Sequence, residues 1–429
     1  MLETLPSIVA RRLKEVVLSR LQDESVVVLQ GPRAVGKSTL LGELANSLNT
    51  GEARVEIVDL DDLATRTAAQ ADPALFVRGT APIMIDEFQH VPELLDAIKS
   101  ELNRDGSPGR FVLTGSTRYA ALPATAQALT GRAHLIDVLP LSQGEITGSR
   151  ENFASALLSD PRSLVSMQAP ATPREEYIRR VVAGGFPSAL RRASPASRTR
   201  WFDDYVRLVV ERDVMDLSRV RQRRQLPLLL RQLASQTGQI LNVANASVAL
   251  GIEQSTTENY TKLLETVFLI QRLPAWGTTL GSRVAASPKI HMIDSGLASY
   301  LLRLSESRLA AASAQSLTEF GHLLETFVVG EICRQLDWLD SPVHRGHWRT
   351  RTGEEIDLIL EREDGKVVAV EVKAGSQVRA SELGSQMALS RKLGDQFLAG
   401  VTLYTGTRAY THDTDFHVIP IDRLWRSTA

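Results

Sequence analysis

Two glycines, a lysine and a serine are spaced in one short segment in a way that could bind phosphate. Residues 31–38 (GPRAVGKS) follow the pattern G-x-x-x-x-G-K-[ST]. The glycines allow a tight turn with backbone N–H groups aimed at a phosphate. Lys37 can then reach the β- and γ-phosphates, and the Ser38 hydroxyl can bind Mg²⁺. A strand-like apolar run precedes the segment and a helical pattern follows it, so the positive end of the helix favours the same anion. This predicts an ATP site with Mg²⁺ as its cofactor. The predicted contacts in this segment are Gly31, Arg33, Gly36, Lys37, Ser38 and Thr39.

A pair of acids ends the third apolar run. Residues 82–87 (PIMIDE) are apolar on both faces until Asp86 and Glu87. Carboxylates are rare at the end of a buried strand unless they have a task. Asp86 is expected to hold the Mg²⁺ that Ser38 also touches, and Glu87 to orient and deprotonate the attacking water. Two solvated acids after a strand are the structural alternative.

Further polar residues could complete the nucleotide site. Residues 114–117 (TGST) end the fourth apolar run, so Thr114 or Ser116 is expected near the γ-phosphate. Hydrolysis often needs a cation against the charge that develops there. The sequence leaves open which arginine supplies it, and whether a neighbouring subunit does. The candidates are Arg33, Arg118, Arg132 and Arg212. For each one taken singly, a surface salt bridge is the favoured explanation.

A second group of charged residues lies near the C-terminus. Glu371 and Lys373 share one face of an otherwise apolar strand, and Asp357 lies in the strand before it. Glu325 lies among apolar residues of an upstream helix. Buried charges need partners, so we expect these groups to converge on one another or on a metal. In a nuclease site the carboxylates of Asp357, Glu371 and Glu325 would bind Mg²⁺, and Lys373 would activate water. A structural ion network would have the same sequence.

Two segments bear on nucleic acid binding. The run 344–351 (HRGHWRTR) could contact a phosphate backbone and stack a base on Trp348. The expected recognition helix, 255–267, has Lys262 but also Glu258 and Glu265. A helix that enters the major groove normally brings cations, so packing against protein is favoured for this helix.

The apolar patterns predict three kinds of architecture along the chain. Short apolar runs alternate with helical patterns in the first 150 residues, which predicts a parallel sheet covered on both faces. The predicted strands are 25–30, 55–60, 82–86, 110–114 and 133–138. Residues 148–171 show no clear period, and we place a linker or lid there. Three helices and a ribbon at 226–273 have the outline of a winged helix. A helix at 317–336, a hairpin around Asp364 and Gly365, a helix at 381–393 and a strand at 400–404 predict an α/β C-terminal domain.

Several segments in one order resemble a known family. The segments GPRAVGKS, IDEFQHVPELL, LTGST and LPLSQGEI are similar to a family of prokaryotic AAA-type ATPases whose C-terminal half is labelled a domain of unknown function. Further matches are GGFP at 184–187, ERD at 211–213, PKIHMIDSGL at 288–297 and GEEIDLIL with VEVK at 353–373. The resemblance implies an AAA-type core at 1–150, a helical linker or lid at 151–220, a winged-helix-like domain at 221–285 and a PD-(D/E)XK nuclease-like domain at 286–429.

Composition narrows the class of protein. The chain has 429 residues, 43% of them apolar and 23% charged, and its net charge is −1. These values are typical of a globular protein with more than one domain and give no overall signal for a polyanion partner. One cysteine excludes an internal disulfide framework. No signal peptide or membrane span is recognised, so a cytoplasmic location without membrane contact is expected. Arginines exceed acids in 174–231, which fits either solvated helices or a phosphate-binding surface.

Two classes of function remain open at this stage. One is a Mg²⁺-dependent ATPase that acts on DNA or RNA through a nuclease-like C-terminal domain. The other is a nucleotide-switched assembly or signalling protein whose C-terminal domain is inert and binds a protein partner. In both classes ATP or ADP is the ligand of the first domain. A homo-oligomer, with a hexameric ring as one option, is expected because ATPases of this type often complete their sites with an arginine of a neighbour.

Overall fold

The computed structural model describes residues 5–49, 54–121, 129–167, 171–214, 224–279 and 286–427. The chain divides into two compact units. Unit 1 comprises residues 1–141 with 266–268, and unit 2 comprises residues 142–265 and 269–429. The finer division into four domains remains a prediction. Within the described ranges, no helix is long and apolar enough to cross a membrane.

Unit 1 is built on a five-stranded sheet in which all neighbouring strands are parallel, in the order β2-β3-β4-β1-β5. Its strands are β1 (Val26–Gln30), β2 (Ile57–Asp59), β3 (Ile83–Asp86), β4 (Phe111–Gly115) and β5 (Ala133–Asp137). Its helices are α1 (Leu13–Arg20), α2 (Lys37–Leu48), α3 (Leu63–Ala71) and α4 (Leu94–Leu102). The predicted α/β fold of this part is confirmed.

The core of unit 1 explains why β1 is central. All five residues of β1 are buried. Val26 and Val28 pack with Leu94, Leu95 and Ile98 of α4 in one apolar cluster. A strand that is covered on both faces must be apolar throughout, as the sequence of β1 is.

Unit 2 begins with a series of helices. They are α5 (Gln143–Thr147), α6 (Phe153–Ser159), α7 (Ser163–Ser166), α8 (Arg174–Ala183), α9 (Pro187–Leu190) and α10 (Pro195–Leu208), followed by a π-helical turn at Val209–Asp213. The stretch without a clear period, 148–171, therefore contains α6 and α7. These helices are too short to show a period, and packing stabilises α6: Phe153 is buried, and the Ala154 N–H donates to Gln335 at 3.0 Å.

The middle of the chain forms three helices and a small antiparallel sheet. The helices are α11 (Gln225–Ala234), α12 (Val243–Leu250) and α13 (Gln254–Thr266). The strands are β6 (Gln239–Ile240), β7 (Ile270–Leu273) and β8 (Lys289–Met292), in the order β6-β8-β7. The central strand β8 thus lies beyond the predicted boundary at 285. Arg272 of β7 pairs with Glu258 at 2.9 Å and with Glu265 at 3.1 Å, so the acids of the expected recognition helix are partly neutralised from within the unit.

The rest of unit 2 is α/β, with a six-stranded sheet in the order β13-β14-β12-β11-β10-β9. The helices are α14 (Ser295–Leu301), α15 (Glu306–Ala310), α16 (Ala314–Leu336) and α17 (Gly384–Leu393). The strands are β9 (His344–Arg349), β10 (Glu355–Glu361), β11 (Val367–Lys373), β12 (Phe397–Tyr404), β13 (Tyr410–Asp413) and β14 (Phe416–Pro420). The predicted hairpin is confirmed, because β10 and β11 pair antiparallel and Gly365 adopts the positive φ that its turn requires.

Contrary to what its sequence suggests, the basic run at residues 344–351 does not present Trp348 to solvent. Most of it forms β9, and Trp348 is only 5% exposed within the apolar core of the C-terminal sheet. The expectation that Trp348 stacks a nucleic acid base is therefore wrong, because this side chain points into the core.

Two glycines of unit 1 provide a matched pair for a stability test. A Cβ on Gly31 would lie 2.1 Å from the carbonyl oxygen of Val138, whereas a Cβ on Gly42, inside α2, would meet nothing within 4 Å. We expect Gly31→Ala to lower the free energy of unfolding by about 1–3 kcal/mol, because the backbone must move apart. Gly42→Ala should raise it by about 0.5–1 kcal/mol, because alanine favours the helix. Urea denaturation of both variants measures this. A Gly31→Ala protein as stable as wild type would contradict the close approach.

Candidate functional site

The polar residues predicted for nucleotide binding follow neighbouring strands of unit 1. β4 lies between β1 and β3, with Leu29 opposite Thr114 and Ile85 opposite Leu113. The backbone N–H of Gly31 donates to the carbonyl of Gly115 at 3.2 Å. In a parallel sheet the carboxyl ends of the strands meet at one edge. The glycine segment, the two acids and the TGST segment therefore share this edge.

The glycine segment forms a tight loop. Gly36 has φ 93° at the start of α2, and Ala34 has φ 62°. Lys37 is buried, and its ammonium donates to the carbonyls of Gly31 and Pro32 at 3.0 Å each. Ser38 and Thr39 are exposed at the first turn of α2, where unpaired N–H groups attract anions. The loop thus has the shape and the donors of a phosphate-binding site.

A buried arginine holds this loop from the N-terminal segment. Arg11 is 8% exposed and donates to the carbonyl of Val35, within the loop, and to that of Leu139, each at 2.8 Å. Arg11 thus ties the loop to the segment that follows β5.

Asp86 and Glu87 are both buried and are positioned by β4. The hydroxyl of Thr114 donates to Asp86 and accepts from the backbone N–H of Glu87. Gln89 donates to the carboxylate of Glu87 and, at 3.1 Å, to the hydroxyl of Ser116. The predicted polar groups of β3 and β4 thus form one hydrogen-bonded network. The Ser38 hydroxyl and the Asp86 carboxylate are oxygen ligands of the type that Mg²⁺ prefers.

The arginine candidates differ in their surroundings. Arg33 is half-buried in the loop. Arg118 is also half-buried and pairs with Asp137 at 3.5 Å. Arg132 is exposed and donates to Asn103 at 2.8 Å. Arg212 lies in the π-helical turn at Val209–Asp213, and its side chain is outside the described part of the chain.

The carboxylates near the C-terminus meet at a lysine that the sequence analysis did not assign to this site. Lys289 of β8 is fully buried, and its ammonium lies 2.8 Å from Glu325, 2.8 Å from Asp357 and 2.7 Å from Glu355. The predicted convergence of Asp357 and Glu325 is therefore present, with a protein cation between them.

The charges of this cluster are strongly coupled. Burial alone would lower the pKa of Lys289, but Asp357, Glu325 and Glu355 together raise it above its ordinary value. Burial would raise the pKa of Asp357, but Lys289 outweighs it and holds that pKa below the usual value. Burial and the neighbouring Asp357 raise the pKa of Glu325 well above its usual value. Lys289 thus stays charged and keeps Asp357 ionised.

Glu371 and Lys373 form a separate pair at the end of β11. Their charged groups lie 2.7 Å apart, and the intervening Val372 N–H donates to Asp357 at 2.9 Å. Burial, reinforced by Asp357, raises the pKa of Glu371 to about 8. Among the described residues, no group of three or more His, Cys, Asp or Glu side chains is arranged to hold a metal ion. The metal-ligand role of Asp357, Glu371 and Glu325 thus remains a prediction without a metal-like arrangement to support it.

Three residues of these sites were missed by sequence reasoning, although each carried a signal. Lys289 is a charged residue at the start of an apolar strand, as Glu371 is at the end of one. Gln89 lies two positions after Glu87, in a segment already singled out. Arg11 carried only the weak signal of an arginine next to apolar positions.

Removing Lys289 should expose its role. Lys289→Met leaves the buried Asp357 and Glu325 without their cation, so we expect a loss of about 3–5 kcal/mol in the free energy of unfolding at pH 8. Without the lysine, burial raises the pKa of Asp357 in the folded state above its value in the unfolded state. The folded state then takes up protons as the pH falls, and the loss should shrink at pH 5. Urea denaturation at both pH values tests this, with Lys262→Met on the exposed face of α13 as the control. A loss that does not depend on pH would contradict the ion cluster.

Comparison with known proteins relates each part of the chain to a different family. The AAA domain family matches residues 23–147. Two domains of unknown function match the rest, DUF8612 at residues 174–308 and DUF4143 at residues 320–424. The AAA match contains the glycine loop, both acids and the TGST segment, and it supports a P-loop ATPase domain in this part of the chain.

The similar whole proteins carry no functional description. An uncharacterized protein of Mycobacterium tuberculosis (strain H37Rv), Rv2008c, is 26% identical over 401 residues, which is 93% of this chain and 80% of that protein. An uncharacterized protein of Haemophilus influenzae is 26% identical over 222 residues, half of each chain.

Two solved structures illustrate how distant the structural relatives are. A Walker-type ATPase of Pyrococcus abyssi is 16% identical and covers 70% of this chain and 100% of its own, with a TM-score of 0.42. AMPPCP-bound DnaA from Aquifex aeolicus is 10% identical and covers 60% of this chain and 89% of its own, with a TM-score of 0.26. At these TM-scores the two structures carry no argument about function. The family match of residues 23–147 to the AAA domain is the comparison that bears on the nucleotide site.

Proposed function

We propose that unit 1 hydrolyses ATP with Mg²⁺. The observation that carries this proposal is the shared sheet edge, where the loop with Lys37 and Ser38 follows β1 and the hydrogen-bonded Asp86 and Glu87 follow β3. Nucleotide binding alone would need only the loop. Hydrolysis also needs acidic groups, which the buried Asp86 and Glu87 at the same edge provide.

Each residue has a distinct part in this mechanism. The loop N–H groups and Lys37, released from the carbonyls of Gly31 and Pro32, bind the phosphates. Ser38 and Asp86 would hold Mg²⁺, which supplies charge neutralisation on the phosphate oxygens. Glu87, positioned by Gln89 and by its own N–H bond to Thr114, takes the proton of the attacking water.

Replacing Glu87 should separate binding from hydrolysis. We expect Glu87→Gln to bind ATP but to hydrolyse it at least about 100-fold more slowly, because the general base is lost. Lys37→Ala should lose ATP binding itself. Phosphate release and equilibrium binding of a fluorescent ATP analogue measure the two steps. Glu93→Gln, an exposed acid before α4, is the control and should hydrolyse ATP normally. Hydrolysis by Glu87→Gln at the wild-type rate would remove Glu87 from the mechanism.

For unit 2 we propose a nuclease-like region that binds a partner without cleaving nucleic acid, so that ATP turnover switches an assembly. Lys289 supports this proposal, because it supplies from within the protein the positive charge that a metal would bring to Asp357 and Glu325. The Glu371–Lys373 pair beside Asp357 supports the competing reading, a nuclease of the PD-(D/E)XK type.

A cleavage assay distinguishes the two readings. We expect no cleavage of single-stranded, double-stranded or branched DNA, nor of RNA, with Mg²⁺ or Mn²⁺ and ATP, and no difference between wild type and Asp357→Ala. Cleavage by wild type that disappears in Asp357→Ala would instead establish the nuclease. A Glu363→Ala protein, changed at an exposed acid of the β10–β11 turn, is the control for that loss.

We further propose that the protein forms a homo-oligomer in which an arginine reaches the nucleotide of a neighbour. Arg132 supports this proposal, because it is exposed and donates to the neutral side-chain amide of Asn103. The Glu87→Gln protein with ATP should therefore have a multiple of the 47.1 kDa chain mass in native mass spectrometry. A monomer with and without ATP would contradict any arginine acting between subunits.

A further inference from the structure

Unit 2 contains a cavity that has no part in either site described above. Its volume is about 710 Å³, within the range of small-molecule sites. Helices α8, α10, α11, α14 and α15 contribute to its walls. Every residue that lines it falls in the segment matched by the domain of unknown function at 174–308.

Much of the wall is apolar and aromatic. Phe202, Leu301 and Leu304 are buried and line the cavity. The ring of Phe202 is stacked on that of Tyr300, with ring centroids 5.8 Å apart. The hydroxyl of Tyr300 donates to Asp203 at 2.6 Å, so that both polar groups already have a partner. Such a wall suits the apolar body of a ligand.

One charged group in the wall has no such partner. Arg198 of α10 is only 9% exposed, and its Nε is buried without a hydrogen-bond partner in the part of the chain that is described. A buried guanidinium nitrogen without a hydrogen-bond partner is costly, so Arg198 is suited to a ligand in the cavity.

The acids near Arg198 do not serve as that partner. Glu306 and Asp294 attract its charge, but neither forms an ion pair with it among the described residues. Asp294 accepts hydrogen bonds from the backbone N–H groups of Gly185 at 2.6 Å and Leu297 at 2.8 Å, and so caps α14. Two more arginines of the wall, Arg231 and Arg303, are exposed and add positive charge.

We propose that this cavity binds a small amphipathic anion, with one carboxylate or phosphate at Arg198 and its apolar body against Phe202, Leu301 and Leu304. The planar fork of arginine suits both head groups, since each presents two oxygens to it. The site would give the segment 174–308 a ligand of its own, distinct from ATP.

The test uses three probes with the same aromatic body: 1-naphthoate, 1-naphthyl phosphate and neutral 1-naphthol, each titrated into the full chain by calorimetry at pH 7. We expect at least one anion to bind about tenfold or more tighter than 1-naphthol, and the better of the two anions identifies the head group. Equal affinity for all three probes, or no binding of any, would overturn the proposal.

Variants assign the binding to Arg198. Arg198→Met should lose the preference for the anions and leave 1-naphthol binding unchanged, whereas Arg192→Met, an exposed arginine outside the cavity, should bind as wild type does. Arg198→Met without ligand should also have a melting temperature no lower than that of wild type, because it removes an unpaired buried nitrogen. Replacing a purely structural arginine would lower the melting temperature.

If Arg198→Met does not fold, Thr199→Trp keeps the arginine and fills the cavity, and it should weaken the binding of all three probes. Unchanged anion binding in whichever variant folds would refute the site.

Discussion

The packing of unit 2 depends most on the contacts that the ammonium of Lys289 makes with three carboxylates. This ammonium joins a strand of the small sheet, the long helix α16 and the strand β10 of the large sheet, because each contributes a contact within 2.8 Å. Without this cation the buried Asp357 could not remain ionised, so Lys289 must stay in place as these elements pack. Misplacing any of these elements would leave Asp357 without its charged partner, and this cost fixes their arrangement.

Unit 1 uses the opposite arrangement of charge. Its loop gathers N–H donors and Lys37 at one edge of the sheet, with carbonyls as temporary partners of the ammonium. Lys37 and the N–H groups of the loop suit an anion, and Arg11 donates to the carbonyl of Val35 within the loop. The buried carboxylates of Asp86 and Glu87 accept hydrogen bonds from the neutral groups of Thr114 and Gln89. In unit 2, Arg198 lines a cavity, and its Nε is buried without a hydrogen-bond partner among the described residues.

The sequence predicts those structural features that depend on residues close together in the chain. The strands of unit 1 are largely apolar, the loop is a spaced motif, and the hairpin at Gly365 has its turn residues in place. The partners of Lys289 could not be predicted, because residues 289, 325 and 357 meet only through packing. The inward direction of Trp348 and the short helix α6 also depend on neighbours distant in sequence. The cavity at Arg198 arises from five helices, none of which shows it alone.

We propose that a divalent metal ion binds at the nucleotide loop and that Lys289 takes its place at the C-terminal carboxylates. Counting bound Mn²⁺ by electron paramagnetic resonance, with and without a non-hydrolysable ATP analogue, tests this most directly. We expect no tightly bound Mn²⁺ in the free protein and one Mn²⁺ per chain with the analogue, which the double variant Ser38→Ala, Asp86→Asn should lose. A tightly bound Mn²⁺ in the free protein that disappears in Asp357→Asn would contradict it.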